Sequence, residues 1–223
     1  MFHDQNIQNT IARLYCTART HLDALEKRVV GSCKLAQNKG MALFPRRIGG
    51  KYVMLSRRDR ENLHLSTSND VHLWDDLAEL YRPQHPWELL QVGNCGSPIE
   101  TPAGWLVLTH GVGPMRRYAI GALLLDLEQP DRVIGHLPSP LIEPDASERE
   151  GYVPNVLYTC GALVHGGELL MPYGFSDSGV AFAHVPMADL LRTLLRSAST
   201  RLERSAGAPS HRSELQPADN LDE

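Results

Sequence analysis

Five side chains in this sequence are of the types that hold anions or sugars: Arg57, His110, Asn38, Asp177 and Tyr173. Arg57 follows the strand-like run Lys51 to Ser56 and opens the segment Arg57-Arg58-Asp59-Arg60. A guanidinium fixed at a strand end can take two oxygens of one oxyanion, whereas the same run left in solvent is only a charged turn. His110 closes the run Gly104 to Thr109 and precedes Gly111, which leaves room for a ligand against the backbone; the competing role is a hydrogen-bonded structural imidazole. Asn38 offers an amide donor to an anion or simply forms a turn. Asp177, in Ser176-Asp177-Ser178-Gly179, can accept from two neighbouring hydroxyls or close an Asx-turn. Tyr173 either stacks on a pyranose face or packs in a core. Lys39 and Arg117 read as surface charges, and Glu150 and Asn155 as organisers of a loop.

Positioning such groups requires strands, and from about Ala42 to Leu191 the chain repeats one arrangement. A short run of Val, Ile, Leu, Tyr and Trp meets a Gly-containing turn and a second such run. The copies are Arg47 to Leu55, Pro98 to Leu108 and Gly161 to Met171, with turn glycines Gly50, Gly104 and Gly167. Turns of this kind tolerate positive φ and match the twist of the flanking strands. Further strands are expected at Asn62 to Thr67, His72 to Trp74, Tyr118 to Leu125 and Arg132 to Ile134. Four short strands per interval predict the blades of a β-propeller, with a β-sandwich as the alternative. Trp74 and Trp105 then serve as packing between blades.

The ends differ. Residues 5–30 carry Ile7, Ile11, Leu14, Ala18, Leu22, Leu25 and Val29 at helical spacing. Leucines 190, 191, 194, 195 and 202 predict a second helix over Met187 to Leu202, stopped by Gly207-Ala208-Pro209. The polar residues beyond it predict a disordered tail.

Composition narrows the function classes. The 223 residues carry 22 Lys plus Arg against 26 Asp plus Glu, a net charge of −4, so gripping nucleic acid or an anionic membrane is not the expected task. No stretch is apolar for long enough to cross a bilayer, and the start lacks the basic and apolar parts of a signal peptide, which predicts a soluble cytoplasmic protein. The four cysteines show neither a C-x-x-C pair nor zinc-ligand spacing and are expected to be reduced thiols; no metal is implied.

Three segments carry a family resemblance. They are Asn38-Lys39-Gly40-Met41-Ala42-Leu43-Phe44-Pro45-Arg46; Gly93-Asn94-Cys95-Gly96-Ser97-Pro98-Ile99-Glu100-Thr101, leading to Gly104-Trp105-Leu106 and Thr109-His110-Gly111; and Glu150-Gly151-Tyr152-Val153-Pro154-Asn155-Val156, leading to Tyr173-Gly174-Phe175-Ser176-Asp177. In this order, with Leu123 to Pro130 between the second and third, the chain over about residues 36–191 resembles glycoside hydrolase family 130, the mannoside phosphorylases and related mannosidases. The resemblance implies an all-β, five-bladed β-propeller type of fold, incomplete here at about three to four blades. Residues 36–191 would be the blades, 192–223 the end of a carboxy-terminal helix and a disordered tail, and 1–35 a degraded remnant of an early blade. Part of residues 10–36 would then be strand, against their helical periodicity.

What the resemblance implies for chemistry is inverting phosphorolysis of β-mannosides to mannose 1-phosphate. A carboxylic acid protonates the departing glycosidic oxygen while phosphate attacks the anomeric carbon from the opposite face. It makes Arg57, His110 and Asn38 phosphate-binding and Asp177 a partner of sugar hydroxyls, with Tyr173 beside it as substrate-binding. Inorganic phosphate is co-substrate and no cofactor is implied. The other partner is a mannose-containing oligosaccharide, and a homo-oligomer stays open. The family's catalytic acid is an Asp in an Asp-Pro-Arg type of context ahead of the Asn38 segment. Asp4 and Asp23 lack that context, so no residue here takes the catalytic role and the chain reads as an amino-terminally truncated member. The alternatives are a β-mannosidase, with water in place of phosphate, and an inactive fragment that turns over nothing by itself.

Overall fold

The computed structural model describes residues 40–74 and 76–206. The helix periodicity at residues 5–30, the remnant expected over 1–35, Asn38 and the tail beyond residue 206 lie outside the described residues.

Three antiparallel sheets follow one another along the chain. The first has the order β1 (Ala42–Leu43), β2 (Tyr52–Ser56), β3 (Leu63–Ser68), β4 (Asp76–Tyr81). In the second, β5 (Gln91–Asn94) and β6 (Ile99–Thr101) both pair with β7 (Gly104–Val112), which continues to β8 (Tyr118–Leu125) and β9 (Val133–His136). The third repeats that interrupted edge: β10 (Leu157–Tyr158) and β11 (Leu163–His165) both pair with β12 (Glu168–Phe175), followed by β13 (Gly179–Pro186). These are successive blades of a propeller, not closed into a ring among the described residues. One helix, α1 (Met187–Ala206), follows; its Leu190 and Leu194 are buried, and the Leu194 backbone lies against Gly135 of β9. No described helix is long and apolar enough to cross a membrane.

The expected strands form with one exception. His72 to Trp74 is a turn, and the fourth strand starts at Asp76. Asp70 is the cause: its carboxylate accepts the His72 amide at 2.9 Å and its carbonyl the Leu73 amide at 3.2 Å, so the backbone curls before it can pair. Trp74 is fully buried there, its indole donating to the Val71 carbonyl.

The middle blade explains the packing. All nine residues of β7 are buried, because neighbours cover both faces. Trp105 and Val107, with Leu123 and Leu125 of β8, join Phe44, Leu55 and Leu65 in the core against the first blade. Leu106 and Leu108, with Ile120 and Leu124, join Leu157, Leu169 and Met171 in the core against the third. Period-two alternation thus sends successive side chains into two different cores.

The two ends of the blades are built differently. At one rim, the turns entering β2, β7 and β12 hold Gly49 and Gly50, Gly104, and Gly166 and Gly167 at φ between 56° and 146°. At the other rim, the turns leaving those strands hold Arg60, Met115 and Arg116, and Ser176 and Asp177, all at φ between 49° and 72°. Asn155, at φ 62°, sits on the second rim where Val156 accepts the Ser176 amide.

Candidate functional site

Arg57 leaves the end of β2 on this second rim, and His110 sits on β7 opposite Gly93 of β5. Nη1 of Arg57 lies 3.0 Å from Nε2 of His110. Arginine only donates, so Nε2 is the acceptor and the ring proton is on Nδ1. Nδ1 lies 3.6 Å from the Cys95 sulfur, and the ring also interacts with the Asn94 backbone. Burial, and then the neighbouring Arg57 charge, bring the His110 pKa down to about 4. The pair therefore carries one positive charge at neutral pH, not two.

Gly93 makes the encounter possible. A β-carbon there would lie 2.6 Å from His110 Cε1 and 3.2 Å from Arg57 Cδ, so any side chain would push the two apart. The guanidinium is braced further by Gln91, whose amide, oriented to satisfy both ends, accepts from Nη1 at 3.1 Å and donates to the Arg60 carbonyl. Nε of Arg57 is buried with no partner among the described residues, and no described carboxylate pairs with this side chain. Around it stand Asn94, whose buried Oδ1 is also without a partner, and Tyr158 of β10, its ring 5.2 Å from His110. Burial raises the Tyr158 pKa and takes the Cys95 thiol up to about 12, so neither supplies a negative charge to compete for Arg57. A guanidinium with no counter-ion among the described residues, beside a neutral imidazole, has the chemistry to receive an anion.

Asp177 lies exposed at the turn between β12 and β13 on the same rim. Tyr173 of β12 is half-buried and donates its hydroxyl to Glu148 Oε1 at 2.7 Å. Burial and that carboxylate raise its pKa to about 12. Glu148 also accepts the Asp145 amide at 3.2 Å, and its carbonyl takes the Ser176 hydroxyl. Tyr173 thus anchors the loop that supports Asp177. The structure brings Arg57 and His110 into contact and holds Asp177 and Tyr173 in a second group on the third blade.

The family model of glycoside hydrolase family 130, described as beta-1,4-mannooligosaccharide phosphorylase, matches residues 9–196. The chain belongs to glycoside hydrolase family 130. It is 39% identical over 155 residues to a 1,2-beta-oligomannan phosphorylase of Thermoanaerobacter sp., covering 69% of this chain and 52% of that protein. It is 33% identical to a beta-1,2-mannobiose phosphorylase of Listeria innocua, over 74% of this chain and 48% of the relative. A solved structure of the Listeria innocua beta-1,2-mannobiose phosphorylase in complex with beta-1,2-mannobiose superposes with a TM-score of 0.65 at 34% identity, covering 71% of this chain and 47% of that one. This family 130 chain spans about half the length of the curated relatives it matches. The architecture is the incomplete five-bladed propeller type, all-β apart from the closing helix.

Several members of the site carried no signal of their own in the sequence. Gly93, Asn94 and Cys95 lay inside a motif without an assigned role, and Gln91 and Tyr158 lay in no noted pattern. Their spacing from Arg57 and His110 is irregular because three blades contribute them. A single hint was available: Gly93 is a strand glycine, and such a residue marks a close approach.

Proposed function

We propose that this chain carries the phosphate cradle and part of the sugar site of an inverting β-mannoside phosphorylase. The carrying observation is Arg57, braced by His110 and Gln91 and free of any described carboxylate. A phosphate oxygen held there would attack the anomeric carbon. The glycosidic C–O bond breaks with inversion, its electron pair going to the leaving oxygen, which takes a proton from a carboxylic acid. The product pair is mannose 1-phosphate and the shortened sugar. Arg57 and Asn38 hold the anion. His110, neutral and accepting, orients Arg57 and becomes a donor to phosphate only on taking up a proton. Asp177 accepts from sugar hydroxyls, with Tyr173 holding its loop. No cofactor enters this scheme. Free thiols at Cys95 and Cys160, the first buried and the second exposed, support a reducing, cytoplasmic setting.

The proton donor is assigned to none of these residues, so the test reads anion binding and not turnover. Titration of the purified chain with inorganic phosphate, followed by isothermal calorimetry, is expected to give saturable binding. Arg57→Ala should weaken it roughly 10- to 100-fold, the worth of charge-assisted hydrogen bonds. Gly93→Ala should weaken it in the same direction by parting Arg57 from His110. Equal phosphate affinity in wild type and Arg57→Ala would overturn the assignment.

A further inference from the structure

A cavity of about 430 Å³ is lined by Trp87, Met115, Arg117, Glu143, Arg149 and Asn155 among others. None of these residues belongs to the Arg57–His110 cluster. The volume is that of small-molecule sites in general.

Its floor is an aromatic plate. Four carbons of the six-membered ring of Trp87 lie where β-carbons on Gly111 and Gly121 would be, between 2.4 and 3.1 Å from those positions. Gly111 and Gly121 are on the face of β7 and β8 opposite to His110, so the six-membered ring of the indole takes the space that two side chains would fill. Its Nε1 donates to the Pro138 carbonyl at 3.3 Å, which fixes the ring. Trp87 is half-buried and lines the cavity, so part of the indole is open to a ligand.

The walls are polar and held in place. Arg117 Nη2 and Arg149 Nε both donate to the Pro144 carbonyl, at 3.4 and 3.2 Å, and Arg117 pairs with Glu143 at 3.2 Å. Nε of Arg117 is a buried donor with no partner among the described residues. At the mouth, Met115 is 93% exposed and in the left-handed region at φ 58°. Asn155, also lining the cavity, is at φ 62°. A large apolar side chain in full solvent on an unfavourable backbone is explained by a ligand that covers it.

The geometry points to a carbohydrate-binding subsite here, taking a pyranose unit of a neutral oligosaccharide stacked on Trp87, with ring and hydroxyl oxygens meeting Arg117 and Arg149 and hydroxyl protons meeting Glu143. A flat C–H face over an indole, with planar charged groups at the edge, is the chemistry of sugar recognition; a bare phosphate has nothing to place on the plate. The choice of a mannoside rests on the function proposed above, while the plate and its donors do not.

Of the three tryptophans, Trp74 and Trp105 are fully buried and Trp87 is only half-buried, so Trp87 is the one whose emission a ligand in this cavity changes directly. Titration with β-1,2-mannotriose is expected to give a saturable change in tryptophan emission that inorganic phosphate does not reproduce. Trp87→Phe, which keeps a ring on the two glycines, should remove the emission change and weaken binding of the same sugar about tenfold by calorimetry, and Arg149→Ala should raise the half-saturating concentration about tenfold. Arg57→Ala should leave it unchanged. No saturable change, a signal surviving in Trp87→Phe, or one lost in Arg57→Ala would overturn the subsite. If phosphate still binds through Arg57 in that case, the function proposed above stands without it.

Discussion

Two arginines on opposite rims of the same blades show what each rim is for. Arg46, in the turn between β1 and β2, gives both Nε and Nη2 to Glu100 of the next blade, at 3.0 and 2.9 Å, and lies 5.0 Å over the Trp105 ring. It joins two blades. Arg57, at the far end of β2, meets an imidazole and an amide, and its charge is uncompensated among the described residues. The backbones differ in the same sense. The Arg46 rim turns on glycines, which adopt positive φ at little cost, whereas the Arg57 rim places Arg60, Met115, Arg116, Ser176 and Asp177 in the same region at roughly 1 kcal/mol or more each. Relaxed turns with matched charges hold the sheets together. Strained turns and donors unmatched among the described residues lie on the rim where the anion site is proposed.

The contrast predicts opposite outcomes for exchanges at the two rims. The largest effect is expected at Gly104, where φ is 146° and a β-carbon would lie 2.3 Å from the Leu125 carbonyl oxygen. Gly104→Ala should cost about 3 kcal/mol or more in chemical denaturation, while phosphate affinity of the folded fraction is retained. A loss of phosphate affinity without a loss of stability would break the division of labour between the rims.

Acid should act on the Arg57 rim instead. His110 resists protonation in the fold, with its pKa near 4, while the unfolded imidazole titrates near the usual 6.5. Below about pH 6.5 the unfolded chain binds the extra proton, so stability falls as pH drops from 6.5 to 4 and no further on this account below that. The full contribution is up to roughly 3 kcal/mol. Comparing wild type with His110→Gln across that window isolates it: the variant should show a flatter profile, and parallel profiles would remove His110 from the account.

The smallest effect is the most discriminating. Met115→Gly removes a side chain from the left-handed region and should leave stability unchanged or higher by about 0.5 kcal/mol, the strain relief being partly offset by unfolded-chain entropy. Gly50→Ala, at φ 79° with open space around it, should instead lower stability by about 1 kcal/mol. Thermal unfolding of the two variants side by side checks the sign of each.

Much of the scaffold was legible in the residues. The three glycine turns are where the pattern put them, because only glycine accepts those dihedrals without strain, and α1 follows its leucine spacing. The strand at His72 to Trp74 was misread because apolar content outweighed Asp70, whose carboxylate ends the run before pairing starts. Arg57 and His110 were visible as types at strand ends, but nothing in their spacing revealed that Gly93 lets one reach the other. Trp87 stood in no sequence pattern, and Arg117 read as a surface charge. Trp87 became a plate only because β7 and β8 place Gly111 and Gly121 together on one face.

Local chemistry decided the alternation of strands and turns, since dihedral preference and burial pattern act over a few residues at a time. Which side chains meet was decided by the tertiary structure. Contact across blades depends on register and on missing β-carbons dozens of positions apart, and so does the charge of His110. An imidazole of the same sequence neighbourhood in water would take up a proton near the usual pH; packed between two blades and against a guanidinium, it stays neutral and accepts.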